Sequence, residues 1–194
     1  MVTVRPASPA DAVELAALLE AAIRDTYAPF AQSAVYEAVI AQTCTPAAMA
    51  VDITAAATDP RNSFLVAVDD SALVGFLDFV AEDEGLELRR LYLAVGHAGR
   101  GVGGALLSAL EDQLPTGTAY RAVVHVENSR ALAFWRRNGF LPVGHVDTRD
   151  HFADHRGLDL TVPSEPEMCV ILERVVGAPG AAAPAAPTAL PRSG

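Results

Sequence analysis

Residues 97–107 read HAGRGVGGALL, with four glycines in six positions between a strand-like apolar run, LELRRLYLAV, and a helix-like apolar run. Each glycine costs conformational entropy, so a plain strand-to-helix connection has no use for so many. A glycine turn that opens a helix instead bares backbone N–H groups at the positive end of the helix dipole, a ready site for phosphate. The turn therefore constrains both the fold, which must deliver a strand into the start of a helix, and the ligand, which must carry an anion.

Two familiar phosphate-binding patterns fit poorly. A nucleotide P-loop needs Lys and Ser or Thr after its last glycine, but all 14 basic residues of this chain are Arg. A dinucleotide fold would use Gly99, Gly101 and Gly104 as G-x-G-x-x-G, with Glu127 as the ribose acid. In that fold the strand runs almost directly into the first glycine, whereas here Gly96, His97 and Ala98 intervene after Val95. Too little chain follows Glu127 to complete a doubly wound sheet.

The 194 residues carry one hydrophobic pattern, 51% hydrophobic and 20% charged, which predicts a single domain over residues 1–176. The spacing predicts a strand at Val2–Arg5 and a helix capped by Ser8, Pro9 and Asp11 that reaches Tyr27. One or two further helices over residues 31–57, broken near 43–46, should follow. From Ser63 a hairpin turning at Asp69 and Asp70 leads to a third strand ending at Val95. After the glycine turn come a helix stopped by Pro115 and Gly117, a strand RAVVHV, a helix ended by Gly139, and two last strands. Residues 177–194, rich in Ala and Pro, read as a disordered tail. A formal net charge of −10 argues against nucleic acid as a partner, and Cys44 and Cys169 suggest neither a disulfide framework nor a zinc knuckle. With no leader pattern and no long uncharged apolar run, the expectation is a cytoplasmic protein without a membrane partner, a monomer or homodimer.

The wider stretch LRRLYLAVGHAGRGVGGALLSALE resembles the acyl-CoA pyrophosphate motif of the GNAT N-acetyltransferase superfamily. The match holds at Leu91, Tyr92, Leu93, Gly99, Arg100, Gly101, Val102, Gly103, Ala105, Leu106 and Leu107, and departs at Ala98, where the family usually has Gln or Arg. Downstream, ENSRALAFWRRNGF is similar to the family's second segment at Asn128, Ala131, Phe134, Gly139 and Phe140, with Trp135 in place of the usual Tyr. The resemblance implies an α/β (α+β) fold, a mixed and mostly antiparallel sheet flanked by helices. It also implies acetyl-CoA as acyl donor, lying where two neighbouring strands splay apart.

On that footing, main-chain amides of Arg100, Gly101, Val102, Gly103 and Gly104 would cradle the pyrophosphate, with Arg100 adding charge from the rim. The main chain of Leu93 and Val95 would bond the pantetheine arm, and the amide near Leu93 would polarise the thioester carbonyl. Asn128 would cap its helix and bond the CoA arm together. An attacking amine must be neutral, so a base is needed, and Glu87 is the candidate, acting directly or through water, with Glu84 and Glu82 in reserve. Trp135 can donate a hydrogen bond to the departing thiolate but cannot protonate it. His125 reads as a core or cleft-lining residue. Asp150, His151, Asp154 and His155 have only a weak metal-like spacing, and no metal is expected. AAIRDTYAPF is loosely similar to the matching segment of polyamine and small-amine acetyltransferases. With Asp25, Tyr27, Asp78, Glu82 and Glu84 on the acceptor side, a small cationic amine is the first acceptor expected, and a peptide N-terminus or protein lysine the second. A catalytically silent acyl-CoA-binding module is the rival reading.

Overall fold

A computed structural model of the chain describes residues 1–30, 33–82, 85–151, 158 and 166–177. Its elements in chain order are β1 (Thr3–Pro6), α1 (Ala12–Tyr27), α2 (Ser33–Thr43), α3 (Pro46–Thr58), β2 (Ser63–Asp69) and β3 (Ala72–Glu82). There follow β4 (Gly85–Leu93), α4 (Val102–Glu111), β5 (Ala119–His125), α5 (Ser129–Arg137), β6 (Leu141–Asp147) and β7 (Met168–Val175). The strands form one sheet in the order β1-β2-β3-β4-β5-β7-β6, antiparallel throughout except for the parallel pair β4 and β5. This is the mixed, mostly antiparallel α/β sheet that the family resemblance implies.

Local chemistry accounts for the helix starts. The Asp11 carboxylate accepts from the backbone N–H and hydroxyl of Ser8, closing a capping box over a short 3-10 turn before α1. Thr45 accepts from the Ala48 N–H and starts α3, which explains the break near 43–46. Two boundaries differ from expectation by a residue or two. The hairpin turns at Asp70 and Ser71, both with positive φ, rather than at Asp69 and Asp70; the mirror-image turn suits strand twist. The third strand ends at Leu93, so Val95 lies beyond it. Of the expected tail, residues 178–194 lie outside the described residues.

Two apolar layers sandwich the sheet. Helices α1, α2 and α3 pack on one face through Leu15, Leu19, Val35, Met49 and Ile53 against Phe64, Val66 and Phe76. On the other face α4 and α5 set Leu106, Leu110 and Trp135 against Leu77, Phe79, Leu88, Tyr120 and Phe140. No single helix among the described residues is long and apolar enough to cross a membrane. Helices α2 and α3, apolar together but bent by 64°, bury their apolar sides in the first layer.

Under α3 the first layer holds a charged cluster. Arg90 is 4% exposed and Asp78 1% exposed; Arg90 Nε donates to Asp78 Oδ2 at 2.8 Å, as does Arg89 Nε, and Asp52 of α3 also binds Arg90. Asp78, expected on the acceptor side, is thus committed to neutralising a buried guanidinium. Breaking a buried pair by removing one partner leaves an uncompensated charge. Asp78→Ala is therefore expected to cost about 3 kcal/mol of stability, measured by urea unfolding.

Candidate functional site

β4 and β5 start as neighbours and then part. Glu87 with Arg121 is the only register pair between them, although five more residues of β4 follow Glu87 before Leu93. On its other side β4 stays in register with β3 as far as Gly75 opposite Leu93, and the Ala94 N–H bonds the Val74 carbonyl at 3.0 Å. Successive amides along a strand point to opposite sides. With Ala94 turned to β3, the N–H of Leu93 points to the gap on the β5 side, while Val95, in the turn closed by the His97 N–H on the Ala94 carbonyl, lines the cleft.

The gap belongs to a cleft of about 480 Å3 that passes through the sheet. Its walls include Leu91, Leu93 and Val95 from the β4 side, Ala122 and Val124 from β5, and Asn128, Phe134 and Trp135 from the α5 segment. The size is that of a small-molecule site. At one end stands the start of α4. Gly99 and Gly101 have φ of +79° and +83°, which L side chains rarely adopt, and Gly101 is the cap from which the helix begins. The first N–H groups of a helix have no intrahelical acceptor, and of the residues that open α4, Gly103 and Gly104 stand at the wall of the cleft.

The glycines serve different ends. A Cβ on Gly104 would meet nothing within 4 Å, so the space beside it belongs to the cleft. A Cβ on Gly103 would meet the Phe134 ring at 3.1 Å, so this glycine lets α4 pack on α5. Gly75, which no sequence pattern singled out, gives room to Leu93 and Val102: its Cβ would stand 2.7 Å from Leu93 Cδ2 and 3.0 Å from the Tyr92 carbonyl oxygen.

The remaining sequence candidates fall in distinct places. Asn128 is buried and its Oδ1 accepts from the Ala131 N–H at 3.0 Å, capping α5 while it lines the cleft. Trp135, 6% exposed, borders the cleft with its body in the core, edge-on to Phe134 and Phe140 with centroids 5.0 and 4.7 Å away. Arg100 is exposed and does not line the cleft. Arg130 and Arg137 do, and Arg130 reaches across to Asp25 of α1 at 3.5 Å. Their spacing with Phe134, at i, i+4 and i+7 of one helix, was the signal for that stripe. The side chain of Glu82, and Glu84 altogether, lie outside the described residues, as do Asp154 and His155. Among the described residues no group of three or more His, Cys, Asp or Glu is placed to hold a metal.

On the α1 face the cleft meets a chamber of about 50 Å3, with Tyr27, Tyr92 and Val123 bordering both. Tyr27 stacks on Tyr36 at 4.2 Å, and burial pushes both phenols well up from their ordinary range. His125 Nδ1 accepts from the Glu127 N–H at 3.2 Å and its Nε2 stands 3.8 Å from Glu167. Glu87, 8% exposed, borders neither space. It lines an outer groove of about 250 Å3 on the same face, where its Oε1 is 3.6 Å from His151 Nε2. Tyr27, expected on the acceptor side, does border both spaces; Tyr36 and His151 as walls of the chamber were not legible in the chain, because they meet only when separate segments pack on one sheet face.

A parted parallel strand pair with an amide-lined helix start at the open end defines an acyl-CoA-type α/β fold, and comparison with known proteins agrees. The Acetyltransferase (GNAT) family profile matches residues 16–140; the chain belongs to this family. Uncharacterized N-acetyltransferases of Mycobacterium bovis and Mycobacterium tuberculosis are 34% identical over 89 residues, 43% of this chain and 55% of theirs, so the match spans about half the length of these relatives. The fold is similar to that of PaiA N-acetyltransferase from Thermoplasma acidophilum in complex with coenzyme A, with TM-score 0.70, 22% identity, and 90% of this chain and 99% of that one covered. It is also similar to YncA from Salmonella typhimurium with acetyl-CoA, with TM-score 0.65, 16% identity, and 93% and 99% covered.

The open space at Gly104 separates folding from binding. Gly104→Ala is expected to leave the fold intact or raise its stability by about 0.5 kcal/mol, yet to weaken acetyl-CoA binding at least tenfold. Thermal melting and calorimetric titration of the same sample check both halves.

Proposed function

We propose that the protein transfers the acetyl group of acetyl-CoA to a primary amine, foremost a small cationic amine, by direct attack on the thioester. The parting of β4 and β5 beside the glycine turn carries this reading. A pantetheine arm is a narrow amide-bearing chain that needs backbone partners; the Leu93 amide faces the gap it would fill, and the main chain of Val95 would bond it farther along the cleft. The pyrophosphate would meet the amides of Gly101 to Gly104, with Arg130 and Arg137 contributing cationic charge and Arg100 further out. The PaiA and YncA structures, similar in fold, hold coenzyme A and acetyl-CoA.

In this reading the Leu93 amide donates to the thioester oxygen where negative charge develops. Trp135 donates no proton at neutral pH. A thiol with an ordinary value near 8.5 leaves without a dedicated acid, so the substitution costs rate rather than activity. The acceptor would approach from the chamber, whose size admits an amino group but no bulky substituent. Its phenols offer aromatic faces to a cation, which favours a small ammonium over a protein side chain held on a broad surface. Glu87, one compartment away, serves the amine's proton at one remove.

CoA release, followed with a thiol reagent over a panel of small amines, peptides and a lysine-rich protein, tests the reading. Turnover on at least one small amine is expected; tight acetyl-CoA binding with no turnover on any acceptor would favour a silent binding module. Trp135→Tyr, which restores a side chain able to give up a proton, is expected to raise kcat by up to about 10-fold, within the range of general-acid effects, with KM for acetyl-CoA unchanged.

A further inference from the structure

Among the described residues, the chamber beside the thioester gap and the outer groove that holds Glu87 have two residues in common, Val123 and His151. Val123 is an aliphatic wall. His151, 6% exposed, is thus the polar group among the described residues that touches both the space where an amine would stand and the space of the carboxylate. Its Nε2 stands 3.6 Å from Glu87 Oε1, just beyond direct hydrogen-bond range. Catalytic contacts are commonly long in the unliganded protein and tighten with substrate.

We propose that His151 is the catalytic base of the transfer and that Glu87 is its positioning residue, orienting the imidazole and stabilising the imidazolium. The assignment rests on the acetyl-transfer reading above and replaces a water between Glu87 and the amine with a side chain. His151 takes one proton from the acceptor ammonium. The freed nitrogen pair forms the C–N bond at the thioester carbon, and the C–S bond breaks with its electron pair on sulfur. The second nitrogen proton passes to that sulfur, giving amide and thiol. The imidazolium then gives its proton to water by way of the outer groove, whose walls include the exposed Gly85, Ala119 and Arg121. One proton is released per turnover.

The other groups facing His151 are unsuited to the task. Tyr27, Tyr36 and the Cys169 thiol keep their protons because burial raises them, and Tyr92 carries a phenol, a group that is by nature a proton donor rather than a base near neutral pH. Arg90 is held as a cation by Asp78 and Asp52. In the groove Arg121 is paired with Glu173 at 3.1 Å. His125 spends its Nδ1 lone pair on the Glu127 amide and turns Nε2 toward Glu167, so protonation there would break an existing bond. Glu167 itself borders neither space.

The pH dependence of kcat/KM for the best small amine, in wild type, His151→Gln and Glu87→Gln, decides the matter. His151→Gln is expected to lose about 10²-fold in kcat together with the ascending acidic limb, with KM for acetyl-CoA unchanged, and added imidazole should restore part of the rate to His151→Ala. Glu87→Gln is expected to keep the limb and move it to lower pH, because an imidazolium without its carboxylate forms less readily. If Glu87→Gln erases the limb while His151→Gln retains it, Glu87 is itself the base and the assignment is overturned. Should the His151 variants fail to fold, the Glu87→Gln profile decides alone, by persistence or loss of the limb. A wild type that binds acetyl-CoA and acetylates no amine overturns both this assignment and the transfer reading, whereas active wild type with an unaltered His151→Gln overturns this one only.

Discussion

The separation of β4 from β5 after a single register pair is the constraint on which the rest of the site depends. A strand deprived of one partner must be held firmly by the other, and β4 is, through its antiparallel ladder with β3 up to Leu93. Gly75 makes that last stretch possible by leaving room for Leu93 and Val102 where a side chain would collide. The result is a strand end ordered on one side and open on the other. Backbone amides pointing into a gap are costly if left dry and buried; a cleft open to water and to a ligand removes the difficulty.

The sheet then divides the labour between its faces. Behind it, α4 and α5 supply the helix start, the capped Asn128 and the arginine stripe at Arg130 and Arg137. In front, α1 and α2 bring Tyr27 and Tyr36 over β4 and β5, and the helical residues 148–151 after β6 bring His151 to Glu87. The two sides meet at the gap, where Tyr27, Tyr92 and Val123 border both the cleft and the chamber. Farther along the front face the same layer hides Arg90, Asp78, Asp52 and Arg89 in a buried ionic cluster. This cluster anchors α3 to the sheet and keeps a positive charge near the chamber from standing uncompensated.

Several side chains changed meaning when placed. Asp78 shares a sheet face with Arg90 and sits one strand farther from the gap, so it is consumed by the guanidinium before it can meet an acceptor. Arg100 sits within the glycine turn but is exposed and off the cleft, while Arg130 and Arg137, farther along the chain, line it. Trp135 is as much a core residue, wedged between Phe134 and Phe140, as a cleft wall. Gly103 serves helix packing and Gly104 open space.

Read alone, the chain determined the order of its elements, the glycine turn that opens α4, the Asn128 cap and the family, because each of these depends on local spacing or on the backbone itself. Helix caps, positive-φ glycines and alternating apolar runs act within a few residues, so their physics is written along the chain. Only the tertiary structure decided that Leu93 faces an empty side, that Asp78 is spoken for, and that His151 meets Glu87, 64 positions earlier in the chain. Those facts depend on which strands stay paired and which face of the sheet each segment covers, and burial and charge are settled between distant parts of the chain.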